Sequence, residues 1–374
     1  VPDLCKEREQ LLHGCLSAPA AAYDPTPMDR FRSFSRDPSS FVSSYSSRAR
    51  TASAGAPGPA AQEPGTRPLR IGVPRASLYF ELFPLWAGML KSLGCEIVLS
   101  EPSSKDLLAK GVRKLTCETC LPVKLGYSHA EDLAQKNVDY VFMPSMLDLP
   151  APFGSPELCS TCPYTQSLPF MVRNALDGRF LVPQVNMSQE FYGLPEGLES
   201  LIEPLGTDWD RLRAAYEAGK DAYLEFKQSL LRRGEEFLSS DFSWGVVLIG
   251  KPYNVYDAYL NLNLAKHLSR LGVAVVPYEF ISRVGREHLD DSWDSLSWRF
   301  NRDYVKAARA TVGDPRLFPV VVSNFGCGPD AFTVKHLERI LEGKPALFLE
   351  FDEHRAEAGL VTRREAFCDE LCEH

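Results

Sequence analysis

The stretch FPVVVSNFGCGPDAFTVKHLERIL, residues 318–341, decides the fold of this chain. It opens on an apolar run short enough for a buried strand, and its second half repeats apolar residues at helical spacing. The glycine-rich turn between the two parts carries Cys327, and Pro329 suits the first turn of a helix. A strand that leads through a tight turn into a helix begins a βα unit. The stretch therefore predicts a parallel sheet, with Cys327 just beyond the carboxyl end of one strand.

The same alternation of strands and helices runs through most of the chain. Short apolar runs predict strands at residues 69–73, 95–99, 138–143, 244–249, 273–277, 318–322 and 346–351. Apolar residues at helical spacing predict helices at residues 79–93, 103–110, 208–238, 256–271 and 329–341. Glycines are predicted to end four of these helices, at positions 94, 111, 272 and 343. Repeated βαβ units of this kind predict an α/β fold with two Rossmann-like parallel-sheet domains, joined by a long helical segment.

Composition and pattern divide the chain into five segments. An N-terminal arm, residues 1–68, holds a short helix at 7–16 and is otherwise predicted to be disordered, because it cannot bury enough apolar surface to offset its ordering entropy. The other segments are a first Rossmann-like domain with CxxC loops, a helical linker, a second Rossmann-like domain and an acidic tail, at residues 69–205, 206–242, 243–351 and 352–374. The chain starts without Met, so we expect it to be a fragment of a longer polypeptide.

The composition argues against several classes of protein. A formal net charge of −8 supplies no basic stripe for nucleic acid. No apolar run approaches the roughly 18 residues that a membrane-spanning helix needs. Ten cysteines in 374 residues are too few for a disulfide-rich secreted scaffold, and the first residues do not form a secretion signal. We therefore expect a cytoplasmic protein whose cysteines serve metal binding or redox chemistry.

Five cysteines fall into three loops with a common pattern. Cys117 and Cys120 form one CxxC pair, Cys159 and Cys162 form another, and Cys327 lies alone between two glycines. In each loop a proline follows the last cysteine, and a predicted helix follows the proline. Thiolates at helix starts are stabilised by unpaired backbone N–H groups. The pattern therefore favours an anionic iron–sulfur cluster as the bound group.

Zinc is the main alternative that spacing leaves open. Two CxxC pairs would satisfy a structural zinc ion with four thiolates. Such a site would leave Cys327 without a role, and the large predicted sheets need no metal for their stability. Unmetallated redox thiols are the third alternative.

Five short motifs carry a resemblance to a known family. They are IGVPR at 71–75, CLPVK at 120–124 followed by His129, CPY at 162–164, GKPYN at 250–254 and GCGPD at 326–330. On these motifs, the chain resembles the activase-related proteins of the 2-hydroxyacyl-CoA dehydratase system, a domain of unknown function found fused behind ATPase activase domains or encoded beside them. The resemblance covers residues 69–351 and extends to dehydratase cluster subunits and double-cubane cluster proteins.

The resemblance implies a fold, a cofactor and a site. Two Rossmann-like halves would face each other across a cleft, and cysteines from both would hold an iron–sulfur cluster. Cys120, Cys162 and Cys327 would be the core ligands of a 4Fe–4S cluster with one open iron. Cys117 and Cys159 lie beyond that three-cysteine pattern and would complete a larger thiolate set. A double-cubane site would use six thiolates, and the sequence offers five at these loops.

The resemblance also implies a function and a partner. The chain would be an iron–sulfur protein of an anaerobic, ATP-dependent, low-potential electron-transfer system. It would receive electrons from an ATP-hydrolysing activase, a separate chain or a missing N-terminal portion, and would pass them to a substrate or partner. A dehydratase-like subunit that eliminates water through a radical is the alternative, and a non-redox protein with a four-cysteine zinc site is the second. A homodimer or heterodimer fits the resemblance.

Three basic residues are candidates for binding a cofactor or a substrate anion. Lys124 follows Cys120 by one helical turn and so shares its face. Arg75 and Lys251 occupy matching turns at strand ends in the two halves, where either would bind a carboxylate or phosphate. A surface lysine and ordinary proline-stabilised turns are the structural alternatives. The turn at Lys251 lacks the order of a P-loop, so no ATP site is predicted in this chain.

For the remaining cysteines and His129, we predict structural or incidental roles. Cys95 lies on an apolar strand and is predicted to be a core residue. His129 is predicted to lie at the edge of the core, with a charge near the cluster as the alternative. Incidental thiols are predicted near both ends of the chain, at Cys5, Cys15, Cys368 and Cys372.

Overall fold

A computed structural model gives the fold for most of the chain. The described residues are 4–17, 67–115, 117–150, 159–187, 194–281, 289, 293, 296–354 and 357–373. Most of the predicted N-terminal arm lies outside them, so that prediction is untested apart from its helix. Helix α1, Leu4–Ser17, confirms the predicted helix and begins three residues earlier than expected.

The first sheet is parallel, as predicted. Its strands are ordered β2-β1-β3-β5 and comprise β1 Arg70–Val73, β2 Glu96–Leu99, β3 Tyr140–Phe142 and β5 Phe180–Leu181. The sequence did not predict β5, nor the two short strands that follow as a separate parallel pair, β4 Ser145–Asp148 and β6 Gln184–Asn186. Four helices accompany this sheet, α2 Tyr79–Ser92, α3 Lys105–Val112, α4 Leu121–Ala134 and α5 Pro163–Ala175. Because the strands are parallel, the loops after β1 and β3 both begin at the carboxyl edge of the sheet.

The second sheet is also parallel. Its strands are ordered β10-β9-β7-β8 and comprise β7 Gly245–Gly250, β8 Ala274–Pro277, β9 Leu317–Asn324 and β10 Leu347–Phe351. The helices of this half are α8 Pro252–Tyr256, α9 Leu264–Arg270, α10 Arg299–Val312, α11 Gly328–Ile340 and α12 Glu357–Glu373. The central strand β7 is buried at every residue, which fits a parallel sheet covered on both faces. Helix α10 was not predicted.

Between the halves lie the short helix Ile202–Leu205, named α6, and the long helix α7, Trp209–Leu238. The α7 helix confirms the predicted long helical segment, and the Asp208 side chain caps it by accepting from the Arg211 N–H at 2.9 Å. A Cβ on Gly219 would lie 2.3 Å from the Leu85 carbonyl oxygen, so glycine permits α7 to approach α2 closely. Farther along α7, Gly234 permits a similar close approach to the second half, because a Cβ there would collide with the carbonyl oxygen of Phe280.

One apolar cluster takes residues from both halves. It includes Leu82 and Phe142 from the first half and Val276 and Tyr304 from the second, all nearly inaccessible to solvent. The division into separate domains therefore stays a prediction. No helix in the described part of the chain combines the length and the apolar character that crossing a membrane requires.

Two local predictions were wrong. The helix expected at 256–271 forms only as α9, because α8 ends at Tyr256 and Leu262 and Asn263, just before α9, both have φ +55°. The Asn261 amide donates to the carbonyl oxygens of Asn254 (3.0 Å) and Val255 (2.7 Å), so a side chain takes over acceptors that a continuous helix would use.

Gly111 was predicted to end a helix and instead lies inside α3. A Cβ at this position would lie 2.3 Å from the Ser128 hydroxyl and 2.4 Å from its backbone nitrogen. The glycine therefore serves close packing between α3 and α4. By contrast, Gly94, Gly272 and Gly343 follow helices with φ near +80°, as predicted.

Candidate metal centre

Three predicted ligands occupy the same position in three different helices. Cys120, Cys162 and Cys327 are the N-cap residues of α4, α5 and α11, and each has extended backbone geometry. Each helix carries proline within its first two positions, which fixes the helical backbone where no intrahelical N–H bond is needed. The cysteine–proline–helix pattern predicted from the sequence is confirmed for all three.

The three cysteines meet around one short segment of the second half. Lys251 is the N-cap of α8, and Tyr253 lies in its first turn. The Tyr253 phenol is close enough to all three thiols to interact with them electrostatically, and Cys120 interacts likewise with Cys162 and Lys251. The structure thus brings together residues from loops that are far apart in the sequence.

Lys251 is the best-defined contact of this group. Its ammonium group donates to the Cys327 sulfur at 2.9 Å and to the Asp330 carboxylate at 2.7 Å, and its side chain is 3 % exposed. Asn301 donates to the same carboxylate oxygen at 3.1 Å. Burial disfavours the charged form of Lys251, but the Asp330 carboxylate and its other neighbours hold its pKa well above the ordinary value. A permanent positive charge therefore lies against Cys327.

The three thiols are only partly exposed to solvent. Burial raises the pKa of Cys327 to about 12, although the charge of Lys251 opposes that rise. Burial likewise raises the pKa of Cys120. Sulfur ligands bind metals as thiolates, so metal binding at this position would release protons.

The two other predicted cysteine ligands are placed differently. Cys117 is exposed, whereas Cys159 is 1 % exposed and interacts with the charge of Arg299. Within the described ranges, no three His, Cys, Asp or Glu side chains are grouped closely enough to hold one metal ion. Zinc–sulfur bonds of about 2.3 Å would require sulfurs roughly 3.8 Å apart. The structure therefore does not gather the four thiolates of the zinc alternative.

Lys124 is buried and held by two carboxylates. Its ammonium group lies 2.8 Å from Glu118, in the loop between Cys117 and Cys120, and 2.6 Å from Glu353, just after β10. The surface alternative for Lys124 was therefore wrong. The ion pair with Glu353 links the first half of the chain to the second beside the cysteine loop. The binding of a cofactor by Lys124 stays a prediction.

His129 belongs to a buried chain of hydrogen bonds. Its Nδ1 lies 2.8 Å from the Ser100 hydroxyl and its Nε2 lies 2.9 Å from the Ser103 hydroxyl. Ser103 in turn donates to Asp257, and the Arg75 backbone N–H donates to Ser100 at 2.9 Å. Because the Ser103 hydroxyl donates its proton to Asp257, its oxygen accepts from the imidazole, which places the proton of the neutral imidazole on Nε2. Burial lowers the pKa of His129 to about 3, so the residue is a neutral core connector between the halves.

Arg75 lies apart from the cysteines. It lines a cavity of about 840 Å³ that Ser103, Tyr256 and Asp257 also line. Cys162 and Lys251 instead line a separate narrow crevice with Tyr253 and Trp298. The structure therefore places the predicted anion-binding residues Arg75 and Lys251 at two different sites.

Sequence reasoning missed the partners that hold the site. Asp330 and Tyr253 stand inside the quoted motifs, but their contacts with Lys251 and the cysteines were not predicted. Asn301 lies on the unpredicted helix α10 and had no recognisable signal. An acidic residue three positions after Cys327, in the first turn of a helix, was the available signal for Asp330.

The fold and these contacts define an α/β protein of two parallel sheets with cysteines at three helix N-termini. Residues 70–281, more than half of the chain, match the family described as CoA enzyme activase uncharacterised domain (DUF2229), and the chain belongs to this family. This confirms the activase-related resemblance. Cys120, Cys162 and Lys251 lie within the matched region, while Cys327 lies beyond it. No curated protein matches the sequence.

Proposed function

We propose that this chain is the iron–sulfur component of an ATP-dependent, low-potential electron-transfer system, with Cys120, Cys162 and Cys327 as the cluster ligands. The observation that carries the proposal is the convergence of three helix-capping cysteines around Lys251 and Tyr253. Membership of an activase-related family supports the link to an ATP-hydrolysing electron donor.

The chemistry of the donor set fits an iron–sulfur cluster. Thiolates are the usual ligands of such clusters, and each thiolate binds a different iron. The sulfurs therefore need not lie as close together as the ligands of one ion. Three helix N-termini directed at the same place favour negative charge there. A cluster bound at this position would carry one electron at a time.

Lys251 would set the electrostatics of the site. Its ammonium group is fixed by Asp330 and faces the Cys327 sulfur. A positive charge and a hydrogen bond at a ligand sulfur stabilise the more negative, reduced state, and such contacts tune reduction potentials. Tyr253 packs with Leu121, Leu125 and Leu260, and this apolar surface borders the site.

Anaerobic purification with iron and sulfide analysis and EPR spectroscopy tests the proposal. Cys327→Ser and Cys120→Ser are expected to lose most of the iron. Cys368→Ser is the matched control and is expected to retain the iron, since Cys368 lies on α12 and packs in an apolar cluster of the second half. A colourless protein with about one zinc per chain, or full iron content in Cys327→Ser, would refute the assignment.

The remaining two cysteines determine the size of the cluster. Because Cys117 is exposed and Cys159 lies beside Arg299, Cys117→Ser and Cys159→Ser are expected to keep the iron content of the unmodified protein. Loss of half the iron in either variant would instead indicate a larger cluster.

An activity assay separates the electron carrier from the dehydratase alternative. The oxidised protein is incubated with a chemically reduced activase, ATP and a panel of 2-hydroxyacyl-CoA thioesters. The proposal predicts ATP-dependent reduction of the protein without dehydration of any thioester. Dehydration that is lost in Cys327→Ser would establish the alternative.

A further inference from the structure

The large cavity beside Arg75 is built from three parts of the chain. Arg75, Tyr79 and Ser103 come from the first half, residues 255–270 come from the second, and α1 forms the remaining wall. Its volume of about 840 Å³ lies within the range of small-molecule sites. Arg75 lies just after β1, at the carboxyl edge of a parallel sheet, where α/β proteins place ligands.

Some residues that line the cavity carry buried polar atoms with no hydrogen-bond partner among the described residues. They include the Arg75 Nε and the Ser269 hydroxyl oxygen. Buried polar groups are almost always hydrogen-bonded, because an unpaired one costs about 1–3 kcal/mol. Both atoms are inaccessible to solvent, so the two side chains would turn toward the cavity to contact a ligand. A guanidinium donor and a hydroxyl that lack partners beside one cavity point to an anionic, oxygen-rich ligand.

Basic side chains outnumber acidic ones around the cavity, five to three. Lys266 and Arg270 lie one turn apart on α9, are exposed, and form no ion pair within the part of the chain that the structure describes. Of the acidic residues, Asp257 accepts hydrogen bonds from Ser103 and from the backbone N–H groups of residues 259 and 260, and Glu7 lies 3.7 Å from Arg233. Glu9 lies 3.7 Å from His13.

Aromatic side chains form another part of the wall. Tyr79 and Phe80 stand edge to face with ring centroids 5.2 Å apart, and Tyr259 lines the cavity from the second half. Aromatic rings accept planar ligand rings by stacking, whereas guanidinium groups bind phosphate through paired hydrogen bonds.

We propose that this cavity binds a phosphorylated small molecule with a planar ring, of the size of a nucleoside monophosphate. Arg75 and Ser269 would bind the phosphate, Lys266 and Arg270 would attract it, and the aromatic residues would contact the ring. The proposal concerns binding alone and goes beyond the electron-transfer function. It does not depend on the helix-capping cysteines, none of which is among the described residues lining the cavity.

Calorimetric titration of the full chain tests the proposal with three probes. They are adenosine 5′-phosphate, ribose 5-phosphate and adenosine. We expect the first to bind at least about tenfold more tightly than either fragment, and more weakly at high salt because charged contacts are screened. The proposal is overturned if no probe binds saturably, or if either fragment binds as tightly as the whole nucleotide.

Variants locate the binding site. Arg75→Gln is expected to weaken nucleotide binding roughly tenfold, since a paired guanidinium–phosphate contact is lost. The double variant K266Q/R270Q changes two exposed side chains, so it preserves the fold and is expected to weaken binding severalfold. Arg339→Gln, an exposed arginine on α11, is the matched control. Equal affinity in K266Q/R270Q and Arg339→Gln would place the ligand elsewhere and overturn the proposal.

Discussion

The two ends of the short helix α8 face two sites of opposite character. At its start, Lys251 is buried and fully engaged with Cys327, Asp330 and a hydrogen-bond network. Beyond its end, Asp257 borders an open cavity where Arg75 Nε is unpaired and Lys266 is free of ion pairs among the described residues. The comparison teaches that similar basic residues at strand ends can serve an internal network or remain available for a ligand.

Lys251→Met is expected to have the largest effect on stability. It would leave the buried Asp330 carboxylate without its cation, and breaking a buried ion pair costs about 3–5 kcal/mol. The free energy of unfolding is measured with urea. Lys335→Met, which removes an exposed ion pair to Glu338, is the control and should change it by less than about 0.5 kcal/mol. Equal unfolding midpoints for the two variants would show that Lys251 is not part of a stabilising network.

The His129 hydrogen-bond chain should make stability depend on pH. The pKa of His129 is 6.5 in the unfolded chain and about 3 in the folded protein, so the unfolded state binds more protons between these values. The contribution is fully present above pH 6.5 and is lost as pH falls through the window, by up to about 1.4 kcal/mol per pH unit.

Urea unfolding of the unmodified protein and of His129→Gln between pH 7 and pH 4 checks this dependence. The variant is expected to be less stable at pH 7, because Ser100 and Ser103 lose their partner, and to show a shallower decline. Parallel pH profiles for the two proteins would contradict a neutral buried imidazole.

Lys124→Met is expected to have an intermediate effect. The methionine keeps the buried apolar stem but removes the ion pairs to Glu118, which is exposed, and to Glu353, which is partly exposed. We expect a loss of about 1 kcal/mol in the free energy of unfolding, reduced by added salt. A loss as large as that of Lys251→Met would show that the two lysines are equivalent, against the structure.

Lys266→Gln is expected to have the smallest effect. Its side chain is exposed and forms no ion pair in the described ranges, so the free energy of unfolding should change by less than about 0.5 kcal/mol. Thermal unfolding of Lys266→Gln and of Lys251→Met under the same conditions compares the two losses of stability. A marked loss of stability would mean that Lys266 has a structural partner.

The parallel sheets and the cysteine positions were predictable because their signals are local. The run before Cys327 and the proline after it identify a strand end and a helix start within a dozen residues. The break between α8 and α9 was missed because Asn261 bonds to backbone carbonyls, a competition that apolar spacing does not reveal. Gly111 was misread because its role depends on Ser128 of another helix.

In the candidate site too, some features follow from local sequence and others depend on the tertiary structure. That Cys120, Cys162 and Cys327 begin helices followed from the sequence alone, because capping and proline preference act over a few neighbouring residues. Which cations face which anions was decided only by the tertiary structure. Lys251 meets Cys327 and Asp330, while Arg75, its counterpart in the first half, borders a cavity. The reason is physical: strand order and helix packing bring distant residues together, and no local pattern of side chains encodes that order.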